Sequence, residues 1–117
     1  MKYIIHGQPI PLQRPRFVNG HIWDCQSGEK MAIGTNLRFQ HKSDFLEGPL
    51  HVDLKFFMKH ARKQGWHNAR PDIDNLIKFY LDVMNAIIYS DDSQVVKITS
   101  EKVYDKEPRT EITIEEL

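Results

Sequence analysis

Residues 50–58 alternate: Leu50, Val52, Leu54, Phe56 and Met58 fall on one face of an extended chain, His51, Asp53 and Lys55 on the other, with Phe57 a second-face apolar residue. A period of two is the mark of a half-buried strand. Such a strand cannot stand alone, because its backbone needs neighbouring strands and its apolar face needs a covering layer. The cover is written further on. After Pro71, Leu76, Ile77, Tyr80, Val83, Met84, Ile87 and Ile88 recur at spacings of three and four, which predicts an amphipathic helix over residues 73–88, about 24 Å long. Asp72 or Asp74 can cap its start, and Pro71 blocks a smooth backward extension through Arg70.

The remaining elements are short. A strand opens the chain. Asn19-Gly20, between Arg16-Phe17-Val18 and His21-Ile22-Trp23, supplies the positive φ angles of a tight turn and predicts a small ribbon. A short helix is expected around Leu37 to Leu46. Near the end Ile112 and Ile114 alternate with Glu111, Thr113 and Glu115, and a turn at Lys106-Glu107-Pro108-Arg109 leads there from a strand over Gln94 to Tyr104, an expected antiparallel hairpin. The layout is α+β: a small mixed or antiparallel sheet packed by one long and one short helix, in a single domain over residues 1–117.

A chain of 117 residues can bury a core without staples, and Cys25 alone allows neither an intrachain disulfide nor a cysteine-rich zinc site. That fits a reducing cytoplasm. His6-Gly7-Gln8-Pro9 interrupts the opening apolar residues, so neither a signal peptide nor a membrane span is expected.

The formal charge is zero, with 16 basic and 16 acidic side chains, but the two signs are segregated. Residues 1–70 carry 11 Lys and Arg against 5 Asp and Glu, a net +6; residues 71–117 carry 5 against 11, a net −6. All six histidines lie in the first part. Such a division suits a basic surface for a polyanion beside carboxylates that hold cations, or merely charges spread over a solvated surface.

The acidic residues are patterned. Asp74, Lys78 and Asp82 share one polar stripe of the long helix, as an i,i+4 ion-pair ladder would. Asp72-Ile73-Asp74-Asn75 stands at the helix entrance and Ser90-Asp91-Asp92-Ser93 in the turn beyond its end. Aspartates from separate elements are how proteins hold Mg²⁺, although capping and solvation also account for each pair alone; the second pair reaches the first only if its turn, or a partner element, folds toward it. A calcium loop begun at Asp72 fails, because Ile77 and Val83 stand where Gly and Glu are required. Scattered histidines with one cysteine argue against zinc, leaving surface histidines and a buried thiol. Residues 59–70 carry Lys59, Arg62, Lys63 and Arg70 with no acid, and include Trp66. That loop can grip phosphate while Trp66 stacks on or wedges against a base, or it can be a flexible loop whose Trp66 folds onto the core. Arg14-Pro15-Arg16 adds a second basic pair, stiffened by Pro15.

Pro71-Asp72-Ile73-Asp74-Asn75-Leu76-Ile77-Lys78, then Asp82, then Asp91-Asp92-Ser93-Gln94-Val95, resembles the signature of the RusA family of Holliday junction resolvases. Gly7-Gln8-Pro9-Ile10-Pro11 with Arg14-Pro15-Arg16-Phe17 resembles the N-terminal segment of phage-type members, whereas residues 18–47 match poorly and share only a compatible length. The resemblance implies a homodimeric endonuclease, dependent on Mg²⁺ or Mn²⁺, that nicks four-way DNA junctions symmetrically. By motif, Asp72, Asp74 and Asp92 would be its metal-binding carboxylates, Lys78 its essential lysine and Asp91 a secondary ligand. Arg14, Arg16, Lys59, Arg62, Lys63, Trp66 and Arg70 would meet DNA. The competing expectations are a non-catalytic DNA-binding module and a related metal nuclease acting on other branched DNA.

Overall fold

The computed structural model describes residues 1–14 and 16–117, the side chains of Arg16 and Trp23 excepted. Strand β1 (Lys2–His6) is followed by β2 (Arg16–Val18), β3 (His21–Trp23), helix α1 (Ser27–Gln40), β4 (Leu50–Lys59), helix α2 (Ile73–Met84), a 3₁₀ turn (Asp92–Gln94), β5 (Val95–Asp105) and β6 (Arg109–Glu116). Four strands form a mixed sheet in the order β1-β6-β4-β5, with β4 and β5 parallel and the other neighbours antiparallel.

β4 is the expected half-buried strand. Leu50, Val52, Leu54, Phe56 and Met58 are sealed against the helices, as are Ile112 and Ile114 of β6 and Tyr3 and Ile5 of β1. α2 contributes Leu76, Phe79, Tyr80, Val83 and Met84 to the same core. The opposite sheet face is mostly polar; it also carries Ile4, Val103 and Phe57, the last lying under the Arg109 guanidinium at 3.6 Å. Burying one apolar face per layer gives the two-layer α+β domain that the two periodicities imply.

The hairpin expected from residues 94–114 is corrected. β5 and β6 are joined by a tight turn yet do not pair, because β4 lies between them and runs parallel to β5. The cause is α2, which crosses from the end of β4 and returns the chain in β4's direction, as a βαβ unit requires. α2 is also shorter than its apolar spacing suggests. Asn85 leaves the helical region and Ala86 adopts a positive φ of 62°, so Ile88 reaches the core from a turn whose amide bonds to the Met84 carbonyl.

The helix expected at 37–46 lies earlier, as a 14-residue α1. Only Gly34 and Leu37 are buried in it, while Met31 and Phe39 face outward, so no apolar stripe advertises it. The two helices are thus similar in length, against the expected long and short pair. Gly34 gives close contact: a Cβ there would stand 3.2 Å from Ile87 Cδ1. The β2–β3 ribbon forms as expected, with Asn19 and Gly20 at φ 50° and 79°. Pro15 lies outside the described residues.

Candidate active site

The N-terminus of α2 sits at the end of the sheet where β4 and β5 finish. Asp72 is its N-cap residue, but its carboxylate makes no capping bond, which corrects the expectation of a structural cap. Asp74 Oδ1 accepts a 2.9 Å bond from the Asn75 amide. The segment leading in is clamped from β5: the Lys102 ammonium donates to the carbonyls of Ala69 and Pro71, both at 2.7 Å.

A second strap fixes the other wall. The Ile10 amide donates to the Tyr80 hydroxyl (3.1 Å), the Leu12 amide to the Asn75 carbonyl (2.9 Å) and the Gln13 amide to Gln26 Oε1 (2.7 Å). Gln26, itself buried, returns a bond from Nε2 to the Pro11 carbonyl. Residues 10–13 are therefore pinned between the starts of α1 and α2, and deliver Arg14 to the rim. Burial pushes the Tyr80 hydroxyl's pKa up, keeping it protonated.

Between these walls lies a cleft of about 600 Å³, lined by Arg14, Ile22, Asp24, Lys30, Asp72, Asp74, Asn75, Lys78 and Asp82, together with Leu12 and Gln13. Asp72, Asp74 and Lys78 are exposed in it and, among the described residues, join no ion pair. The expected Asp74-Lys78-Asp82 ladder is thus absent. Asp82 instead stands 4.0 Å from Lys30, which is 3.1 Å from Asp24. The Gln26 amide and then Lys30 hold Asp24 below the usual carboxylate range. Asp24 and Lys30 belong to a stretch without periodicity or motif, and only the tertiary structure reveals their place.

Asp91 and Asp92 lie elsewhere. They follow the far end of α2, about 18 Å along the helix axis, and do not line the cleft. Asp91 accepts from Ser93, whose hydroxyl and amide lower its pKa. Burial first, then Asp92, Asp82 and Asp91, push the Tyr89 hydroxyl's pKa up, so it stays a donor to the Leu81 carbonyl. No cluster of three His, Cys, Asp or Glu able to hold a metal occurs within one chain among the described residues. The free thiol of Cys25 is exposed, not buried, and donates to Gln13 Oε1.

The basic segment 59–70 occupies the same end of the sheet as Asp72 and Asp74. Arg70 lies beside both aspartates in a shallow groove that Lys102 also lines. Lys59 ends β4, and Arg62 and Lys63 border a separate small hollow with Asp105. The loop is built rather than loose: the Arg62 and Lys63 amides donate to His60 Nδ1, and the His67 amide and Gly65 carbonyl bond to Lys102 and Tyr104. Trp66 forms an antiparallel bridge with Val103 through its backbone, and the residue is 71% exposed, so it does not fold onto the core. The Arg16 side chain falls outside what is described.

Asp72 and Asp74, in no ion pair among the described residues, offer hard oxygen donors, which suit a hard divalent cation rather than a soft metal. Set beside lysines in a cleft open to a large ligand, they have the chemistry of a metal-assisted phosphodiester hydrolase. A family model described as "Endodeoxyribonuclease RusA" matches residues 6–115. The chain belongs to this family of metal-dependent endodeoxyribonucleases, whose substrates are branched DNA. It is 31% identical over 137 aligned positions, 100% of its length and 96% of the relative's, to "Uncharacterized protein YqaN" of Bacillus subtilis (strain 168). It is 41% identical over 73 residues to "Crossover junction endodeoxyribonuclease rusA" of Lactococcus phage r1t, covering 59% of this chain and 56% of that one. No helix among the described residues is long and apolar enough to cross a membrane.

Proposed function

We propose that this chain resolves four-way (Holliday) DNA junctions as a homodimer, by paired, Mg²⁺-dependent nicks, with Mn²⁺ an acceptable substitute. The observation that carries the reading is the cleft in which Asp72, Asp74 and Lys78 converge, joined by no ion pair among the described residues. Asp72 and Asp74 would hold the metal, which when bound activates water and relieves charge on the phosphate. Lys78 follows Asp74 by one helical turn and directs its ammonium at the phosphate oxygens, where charge develops. Arg14 and Arg70 at the rim, with Lys59, Arg62, Lys63 and Arg16 further out, neutralise the flanking backbone, and Trp66 offers a ring to a base. A cytoplasmic site of action accords with the lone, unpaired cysteine.

Asp92, with Asp91 as secondary ligand, completes the site from the partner subunit. The outer edge of β5 supports this arrangement. At residues 102–104 it is covered by the 65–67 segment, but from Val95 to Glu101 it meets no other named strand, and Val96 and Ile98 are 62% and 43% exposed. Unpaired edges invite another strand. Two copies of β5 paired antiparallel about a two-fold axis at Ile98 would carry Asp92 to the far end of the partner subunit's β5, beside the partner subunit's Asp72. One symmetric dimer would then have two complete sites for the two strands of a two-fold junction.

The test is a labelled synthetic four-way junction and a matched linear duplex, incubated with and without Mg²⁺ and with Asp74→Asn. Paired nicks confined to the junction, requiring metal and absent from a variant that still binds it, are expected. Intact junctions under every divalent cation tried would contradict the enzyme in favour of a binding module, and preferential cutting of flaps would move the substrate to other branched DNA.

A further inference from the structure

The β2–β3 ribbon is unexplained by the chemistry above. Phe17 and Ile22 are directly opposed across it and are 74% and 71% exposed, although the ribbon lies beside a domain with an ample core. Directly opposed side chains share one face about 5 Å apart, so the two form a continuous apolar surface comparable in size to a nucleobase. The next pair, Val18 with His21, faces the other way. The turn beyond is only Asn19-Gly20, so the apolar pair stands one residue from the tip.

The location of this surface decides its use. Ile22 lines the same cleft as Asp72, Asp74 and Lys78, with Arg14 and Lys30 beside them. Whatever strand lies in that cleft passes alongside the ribbon. A single phosphate contact does not distinguish branched from linear DNA, because each presents the same chemical group. Base faces can: in a continuous duplex each is covered by stacked neighbours, whereas at a branch point a face is available or cheaply exposed.

We propose that the ribbon is a branch-point wedge, its Phe17–Ile22 face stacking on the nucleobase exposed where DNA arms part, beside the strand held in the acidic cleft. The occupant is DNA rather than a second copy because the apolar pair is continuous with a cleft bearing Arg14, Lys30 and Lys78, cations matched to phosphate. The wedge supplies selectivity for branched substrates while the aspartates supply cleavage. It rests on the junction-cleaving reading, and nicking of an unlabelled junction by the unaltered protein is the control that separates the two.

The experiment places 2-aminopurine at the branch point of a junction and follows its fluorescence on titration with protein in Ca²⁺, alongside binding to a matched duplex. The unaltered protein should raise the emission as the base leaves its stack. Phe17→Ser/Ile22→Ser should abolish the rise and weaken junction binding roughly tenfold, with duplex binding changed less than about twofold. Phe17→Trp, which keeps a stacking face, should retain both effects. Equal emission and an equal junction-to-duplex ratio in the double variant would overturn the proposal. So would dissociation of that variant into monomers, which would make the surface an interface between copies.

Discussion

Lys102 shows how one side chain far from the motif can govern it. Its ammonium is committed to two carbonyls within three residues of Asp72, and charge-assisted bonds of this kind are each worth about 1.5–3 kcal/mol. Removing it leaves the carboxylates in place but their backbone unheld. Lys102→Met should therefore raise the Mg²⁺ concentration needed for half-maximal nicking several-fold while the rate at saturating metal falls much less, with Lys102→Arg restoring most of the difference. An unchanged metal requirement would show that the clamp does not position the aspartates. The same segment carries His67, whose pKa is lowered by burial and then by Lys102. Its neutral form is favoured in the fold, so its contribution to stability is intact above the ordinary histidine pKa and is lost as pH falls below it, through the lowered value of the folded state. Neither residue was legible beforehand: nothing in the spacing of Lys102 distinguishes it from a solvated lysine on an edge strand.

At the scale of elements, β5 bears on whether the protein works as a pair. Ile98→Lys places a charge at the centre of the uncovered edge without touching the core, since Ile98 is 43% exposed. Sedimentation should report a folded monomer, with junction nicking lost; a dimer of undiminished activity would place the interface elsewhere. The elements read correctly from sequence were those whose periodicity reflects burial on one side. β4 and most of α2 carry that signal, and Asn19-Gly20 fixes the ribbon through backbone φ alone. α1 escapes sequence patterning because a helix with two buried residues has almost no apolar stripe to read. The β5–β6 connection looks like a hairpin in sequence because a tight turn specifies reversal, not pairing, and β4 takes the intervening position through long-range contacts that no local pattern encodes.

For the whole molecule, segregated charge and split aspartates follow from one topology. The basic loop leads directly into α2, so Arg70 lies beside Asp72 and Asp74, while α2 carries the chain away and leaves Asp91 and Asp92 at its other end. From Val95 to Lys102 an extended chain spans about 23 Å, a gap that one subunit leaves open and that the proposed antiparallel pairing of two β5 strands would close. The motif of paired aspartates is legible as a list of residues, but the proposed division between two subunits is not, because sequence order is silent on which copy supplies each ligand. Subunit mixing tests that division directly. Asp74→Asn and Asp92→Asn proteins, each inactive alone, are co-refolded and assayed on a labelled four-way junction with Mg²⁺. If each site takes Asp74 from one subunit and Asp92 from the other, heterodimers contain one intact site and nicking of a single strand returns. If both residues act within one subunit, every site in the mixture lacks a ligand, and the junction stays uncut.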